Sequence, residues 1–322
     1  MMELVNNLEG FVQENLSLLT PVDQAWQPTD YLPDFTAGDW VGQVEAFRES
    51  AMQISDELLV VLVGNMVTEE ALPNYAVSLN RVVRDDSGVD DRAWAQWLRG
   101  WTAEENRHGD LLNTYLRLSG RVDMRAVERT VHHLIRNGFS PRTHGDDLSG
   151  LMYAAFQERA TRITHGNVGK MASGQGEVNL AKICRKIAGD ETRHETFYTR
   201  VVAQAMDLDP EQGVLAFRAI LRGIISMPGR RMFDGQDPDL FDHFAVISQR
   251  TGAYTVQMYS QIIAHFVEAW GIGKRSLTGK AAKAQDYLCQ QAERYEFFAG
   301  EVAENLAKQP QVNFAWIRGI SV

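Results

Sequence analysis

Apolar residues recur every three or four positions along most of this chain. Trp94, Trp97, Trp101, Leu111, Tyr115 and Leu118 keep that step, and so do Leu180, Ile183, Ile187, Tyr198 and Val201. A stripe of this period predicts amphipathic helices with one face toward a core. Between Phe35 and Met227 only Pro73, Pro141 and Pro210 interrupt the pattern, which leaves room for long helices. Residues 1–19 predict a short amphipathic helix. Pro21, Pro28 and Pro33 then mark an extended arm that holds Trp26 and Tyr31. Past residue 227 the pattern loosens. It predicts a turn over 234–238, helices over 239–270 and 280–307, a loop over 271–279, and a tail from Gln309 with no period. The expected fold class is all-α.

Charged residues sit on those apolar stripes. Glu105 and His108 fall in step with Trp101 and Leu111. Glu191 and His194 do the same between Ile187 and Tyr198. Glu69 follows Leu59, Leu62 and Met66, and Glu158 follows Leu148, Leu151 and Ala155. A carboxylate facing a core is costly unless it is paired or neutralised. Four of them with two imidazoles call for cations.

Two segments repeat the same order of chemistry: Glu104-Glu105-Asn106-Arg107-His108 and Asp190-Glu191-Thr192-Arg193-His194. Each sets a carboxylate and an imidazole three residues apart, on one face of a helix. A doubled Glu-x-x-His with one glutamate from each of two other helices is the ligand set of a two-metal carboxylate bundle. The intervals agree: 36 residues from Glu69 to Glu105, 53 on to Glu158, and 33 on to Glu191, each room for a helix and its return. Six ligands leave positions open for oxygen or water. Imidazole and carboxylate without thiolate suit iron or manganese better than structural zinc. Asp190 is placed to orient His108, and Glu104 to orient His194. Pro73, four residues after Glu69, predicts a kink beside the site.

Composition narrows the rest. The chain has 322 residues, 44% hydrophobic and 23% charged, with a net charge of −10. That balance speaks against broad nucleic-acid binding. Cys184 and Cys289 form no disulfide framework and point to a reducing compartment. The longest apolar run, Leu58 to Val63, is far too short for a transmembrane segment. No targeting pattern opens the chain, so the expectation is a cytoplasmic protein. His132, His133, His144, His165, His243 and His265 belong to no Glu-x-x-His pair and are read as structural or exposed. Trp94, Trp97 and Trp101 are read as core, and Cys184 as an inert core thiol.

At these residues the chain resembles the soluble acyl-acyl carrier protein desaturases, from about Trp26 to Trp316. Val60–Tyr75, Trp101–Leu112, Ser119–Arg125, Phe156–Thr161 and Asp190–Glu195 carry the likeness, with Ile225–Pro228 and Leu240–Phe244. The resemblance implies a ferritin-like four-helix core with additional helices in one domain. That domain has an arm over 1–40, a metal-binding core over 41–210 and further helices over 211–322. It selects Glu69 over Glu70 and Glu105 over Glu104, and completes the set with His108, Glu158, Glu191 and His194. It implies two iron ions, with manganese as a substitute, and a homodimer. Trp26, Asp190 and His108 match an electron route that begins at a surface tryptophan. Thr161 matches a threonine on the oxygen side.

The implied reaction sets a cis double bond into a saturated chain on acyl carrier protein, with O2 and a ferredoxin-type donor. Other di-iron oxidations, such as hydroxylation on a pathway-specific carrier, and ferroxidase or iron handling are the alternatives. Departures gather elsewhere. Arg81, near Ser78, stands where a small channel residue is usual. Gly223-Ile224 replace a basic pair, with Arg230-Arg231 following. These residues fall near the channel and the carrier-docking surface. They imply a changed chain length, double-bond position or carrier.

Overall fold

The computed structural model describes all residues except 1, 142, 144, 145, 307, 318 and 319. His144 therefore lies outside the described residues. The described residues form fourteen α-helices, several 3-10 turns, and one isolated β-bridge between Asn313 and Ser321. The first three helices are α1 (Met2–Asn7), α2 (Glu9–Asn15) and α3 (Trp40–Ala51). Then follow α4 (Asp56–Glu69), α5 (Leu72–Val83), α6 (Ala93–Ser119), α7 (Met124–Asn137), α8 (Asp147–Gly174) and α9 (Val178–Leu208). The last five are α10 (Pro210–Leu221), α11 (Leu240–Thr251), α12 (Val256–Ala269), α13 (Gly279–Cys289) and α14 (Gln291–Leu306).

Four of these make the core bundle: α4, α6, α8 and α9. The last three hold 27, 28 and 31 residues, about 40 Å or more each at 1.5 Å per residue. Their starts are defined by side chains. The Asp146 carboxylate accepts from the Ser149 amide, and Glu177 accepts from the Leu180 amide. Gly120, at φ 69, ends α6 in the left-handed conformation that favours glycine. α4 is buried on every side from Leu58 to Glu69, as a central helix must be.

The core is two apolar bodies with a polar layer between them. One takes the early turns of α6 (Trp94, Trp97, Trp101), the early part of α8 (Leu151, Phe156) and the late turns of α9 (Phe197, Val201). The other takes α4, the late turns of α6 (Leu111, Tyr115), the late part of α8 (Val168) and the early turns of α9 (Ile183, Ile187). The repeats, at 104–108 and 190–194, fall between them. The architecture is thus the ferritin-like all-α bundle with added helices.

Three expectations change. Pro73 does not kink a continuous helix. α4 stops at Glu69 and a separate α5 begins at Leu72, with Pro73 in its first turn, where a missing N–H costs nothing. The helix over 239–270 is two helices. Gly252, at φ 78, ends α11, and the Thr255 hydroxyl accepts from the Met258 amide to start α12. The 280–307 segment is also divided, at Gln290. Among the described residues no single helix is long and apolar enough to cross a membrane.

Candidate metal centre

α4, α6, α8 and α9 bring Glu69, Glu105, His108, Glu158, Glu191 and His194 to one buried point. Glu69, Glu105, His108 and Glu191 offer ligand atoms within 4.8 Å of one another. So do Glu105, Glu158, Glu191 and His194. Glu105 and Glu191 belong to both groups, so the arrangement offers two candidate metal positions with two carboxylates in common. Each site adds one imidazole and one terminal carboxylate.

The outer nitrogens of the imidazoles are held from behind. His108 Nε2 lies 3.4 Å from Asp190, and His194 Nε2 lies 2.9 Å from Glu104. Each repeat thus supplies the acid that orients the other repeat's histidine. Arg193 bridges the two acids, 2.8 Å from Asp190 and 2.6 Å from Glu104. With Nε2 committed, both Nδ1 atoms face inward. Neither makes a well-directed hydrogen bond among the described residues, nor do Glu105 Oε1 and both Glu191 oxygens, although His194 Nδ1 lies 2.8 Å from Glu105 Oε1 and His108 Nδ1 lies 3.4 Å from Glu191 Oε1. Orphaned buried acceptors in this number are costly, and divalent cations would satisfy them. Charge agrees. The four ligand carboxylates with Asp190 and Glu104 oppose the guanidiniums of Arg107 and Arg193. Four negative charges remain, the charge of two divalent cations.

The acid–base balance of these groups carries the same strain. Burial pushes Glu158 well above the usual carboxylate range, and Glu105 nearby adds to it. Burial also raises Glu69, against a hydrogen bond from His165. Glu105 goes the other way. Burial would raise it, but His108 and His194 outweigh that and hold it at about 2. Burial would lower both imidazoles. The surrounding carboxylates win and raise His108 and His194 well above their ordinary value. Without cations, the cluster keeps protons where cations would sit.

Two partners escaped the sequence reading. Trp101, read as core, is buried but also donates Nε1–H to Glu158, at 3.0 Å. His165, read as structural or exposed, is buried with Nε2 2.8 Å from Glu69. Both carried a signal in their register: Trp101 precedes Glu105 by one turn, and His165 follows Glu158 by two. Trp26 is not at the surface. It is 6% exposed, donates to Asp190 at 2.7 Å, and lies parallel to His108, with 6.1 Å between ring centroids.

Two cavities adjoin the cluster, with Glu69 lining both. One, of about 440 Å³, runs along α5 past Tyr75, Ser78, Arg81 and Val82. The other, of about 370 Å³, runs along α11 past Ile225, Met227, Phe241 and Phe244. Both are walled by Thr68, Glu69 and Thr161. The Thr161 hydroxyl is bonded to the Gln157 and Glu158 carbonyls one turn back. Gly64 lets the second cavity's wall form, since a Cβ there would fall 2.1 Å from the Phe244 ring. Arg81 is exposed, and Arg230 is exposed beside Asp242, at 3.7 Å. Arg231 turns away from both cavities and donates to the Asn137 carbonyl.

Fold and site together define a helical bundle with a buried carboxylate and imidazole cluster that fits two metal ions. The model of the fatty acid desaturase family matches residues 1–318, and the chain belongs to that family. It is 46% identical to the stearoyl-[acyl-carrier-protein] 9-desaturase of Spinacia oleracea, over 98% of this chain and 80% of that one. It is 45% identical to the acyl-[acyl-carrier-protein] 6-desaturase of Thunbergia alata, over 98% and 83%. The solved structure of DesA2 from Mycobacterium tuberculosis H37Rv shares the fold. Its TM-score is 0.55 at 20% identity, over 88% of this chain and 99% of that one.

Proposed function

We propose that this chain is an acyl-acyl carrier protein desaturase that sets a cis double bond into a saturated acyl chain. The observation that carries this reading is that two cavities share one wall, Thr68, Glu69 and Thr161, beside the cluster. A chain lying through both would pass the cluster at its middle, not at its end. The likeness to desaturases named for acyl carrier protein supports the substrate class.

We assign Glu69 and His108 to one iron, Glu158 and His194 to the other, and Glu105 and Glu191 to both. When bound, the two irons supply the activation of O2, with two electrons and two protons, that removes two hydrogens from adjacent methylenes and yields two waters. The protein's part is positional. Asp190 and Glu104 hold each Nε2, which would leave Nδ1 free for a metal ion. Trp101 and His165 each hold one terminal carboxylate by a hydrogen bond. The two apolar bodies on either side exclude water. Thr161 and Glu69 line the wall where the reacting carbons would lie.

The acidic carrier is assigned to the mouth of the α11 cavity, where Arg230 is exposed, and the chain's far end to the α5 cavity. Electrons would come from a ferredoxin-type donor by way of Trp26, Asp190 and His108. The parallel rings of Trp26 and His108, both in contact with Asp190, support that route. The family likeness also proposes a homodimer, which size-exclusion chromatography with light scattering checks.

The test is turnover of lauroyl- to stearoyl-acyl carrier protein with reduced ferredoxin and O2, with analysis of the released chains. A monoene that depends on O2 is expected. A hydroxylated product, or no product at any chain length from fully iron-loaded protein, would overturn the assignment.

A further inference from the structure

The two repeats share the order acid, Glu, any residue, Arg, His, yet their arginines do different things. Arg193 ties Asp190 to Glu104. Arg107 instead lies over the indole of Trp26, its guanidinium carbon 5.3 Å from the ring centroid. The Arg107 side chain is 12% exposed. Its Nε and Nη2 are buried without a hydrogen bond among the described residues. Its ion-pair partner is Asp190, at 3.9 Å, and that carboxylate already serves Trp26, His108 and Arg193. A guanidinium with two of its three nitrogens buried and without hydrogen bonds is costly. Attraction to the ring face offsets part of that cost. The expense implies a use.

We infer that Arg107 is a positioning charge that keeps Trp26 in its neutral, closed-shell form. The indole then bridges electrons to the centre without itself being oxidised. The inference rests on the electron route proposed above. Taking an electron from Trp26 leaves a positive charge on the ring, which the Asp190 carboxylate favours and the Arg107 charge over the ring face opposes. Losing the indole proton gives little relief. Nε1–H points at Asp190 Oδ2, which also faces His108 Nε2, while Oδ1 is taken by Arg193. An electron that tunnels inward through the indole deposits no charge there, so Arg107 does not oppose it. The charge therefore separates two fates of one residue: it allows the bridge and penalises the trap.

The test uses the full chain in its resting, metal-loaded form and photogenerated tris(bipyridine)ruthenium(III) as the oxidant. Two ruthenium(III) ions take two electrons from an indole, water supplies one oxygen atom, and two protons leave. The product is hydroxytryptophan, read by mass in the peptide that carries Trp26. Trp40, 44% exposed, is the internal reference. Arg107→Gln is expected to raise oxidation of Trp26 relative to Trp40 about tenfold, equivalent to about 1.4 kcal/mol. Arg107→Lys keeps a cation near the ring and is expected to stay within about twofold of the parent.

An equal rise in both variants overturns the inference, since cover and not charge would then protect the ring. No rise in Arg107→Gln overturns it too. Oxidation of the buried Trp94 marks a variant that has opened, and Arg107→Met then repeats the comparison. Reduction of the centre by ferredoxin in Trp26→Phe tests the route separately. An unchanged rate removes the route and leaves the ratio experiment to decide the role of Arg107.

Discussion

The metal cluster and the two cavities touch at Glu69, yet they are built on opposite principles. The cluster is nearly symmetric, and the atoms on its outer side answer to one another while the inner ones are left for cations. Each histidine has its acid, each terminal carboxylate its donor, and Arg193 joins the two acids. The cavities are unequal. The α11 cavity is walled by Ile225, Met227, Phe241 and Phe244, whereas the far end of the α5 cavity carries Arg81, Arg84 and Asp147. A site that must hold charge in a core admits few solutions, because each unpaired group is costly. A cavity that must hold an alkyl chain admits many. The cluster should therefore break sharply when altered, and the cavities should shift by degrees.

The sharpest break should come at Glu191, a shared carboxylate. Glu191→Ala removes a ligand from both sites at once. Loss of most bound iron by elemental analysis and loss of detectable product are expected. Retained product would remove the metal assignment altogether. The next largest effect lies one contact out. Glu104→Ala frees His194 Nε2 and leaves Arg193 with Asp190 and the Leu18 carbonyl. Metal affinity should fall about 10–100-fold, as is typical when a group that orients a metal-bound histidine is lost. Competition with a chelator measures it. If the variant binds iron as the parent does, the symmetry of the cluster has no energetic meaning.

Much of this contrast was legible in the sequence. The repeated segments and their place on apolar stripes bring Glu105, His108, Glu191 and His194 to one layer, because a helix of period 3.6 fixes which residues share a face. The cross-pairing of Asp190 with His108 and of Glu104 with His194 followed from the repeat. His165 and Trp101 were not found, because their partners come from other helices and register gives no distance between helices. The break after Glu69 was visible as Pro73, but sequence could not say whether the chain would kink or start anew. Arg231 looked like Arg230 in the sequence, yet one lies at a cavity and the other bonds the Asn137 carbonyl. Periodicity reports faces, and cavities are made by loops and by what faces leave empty.

Acid separates the two regions by a smaller step. In the metal-free chain His108 and His194 are raised well above their ordinary value. Their contribution to stability is whole below about pH 6.5 and is lost as pH rises through the raised values. Glu69 and Glu158, also raised, act in the same direction. Glu104, Glu105 and Asp190 are lowered, and their contribution is lost only below about pH 4.5. The metal-free protein should therefore melt at lower temperature as pH rises above about 6.5. Metal binding must displace the same protons, so affinity should rise about tenfold per pH unit for each one. The gap in Tm between loaded and metal-free protein should widen with pH, as thermal melts would record. A gap that narrows would mean that the cluster binds its metals without releasing protons.

The smallest effect should come from the cavity, at Arg81. The last turn of α5 ends at Arg84, held at φ 58 and paired with Asp147 at 2.9 Å. That pair closes one side of the cavity's far end. Arg81 lies one turn earlier, exposed and without an ion pair among the described residues. A methyl terminus that reaches it meets a hydrated cation and gains little by going further. Arg81→Leu makes that stretch apolar. Each further methylene could then be buried, worth about 0.8 kcal/mol or roughly a fourfold gain. The kcat/KM ratio of a longer to a shorter acyl carrier protein substrate should rise by about two- to fivefold, with metal content unchanged. A fall in metal content would break the separation between cluster and cavity. An equal loss at every chain length, carried by KM, would reverse the assignment of the two ends and put the carrier beside Arg81. A change in the ratio alone would mean that one residue at a cavity's end tunes what a sixfold ligand set leaves untouched.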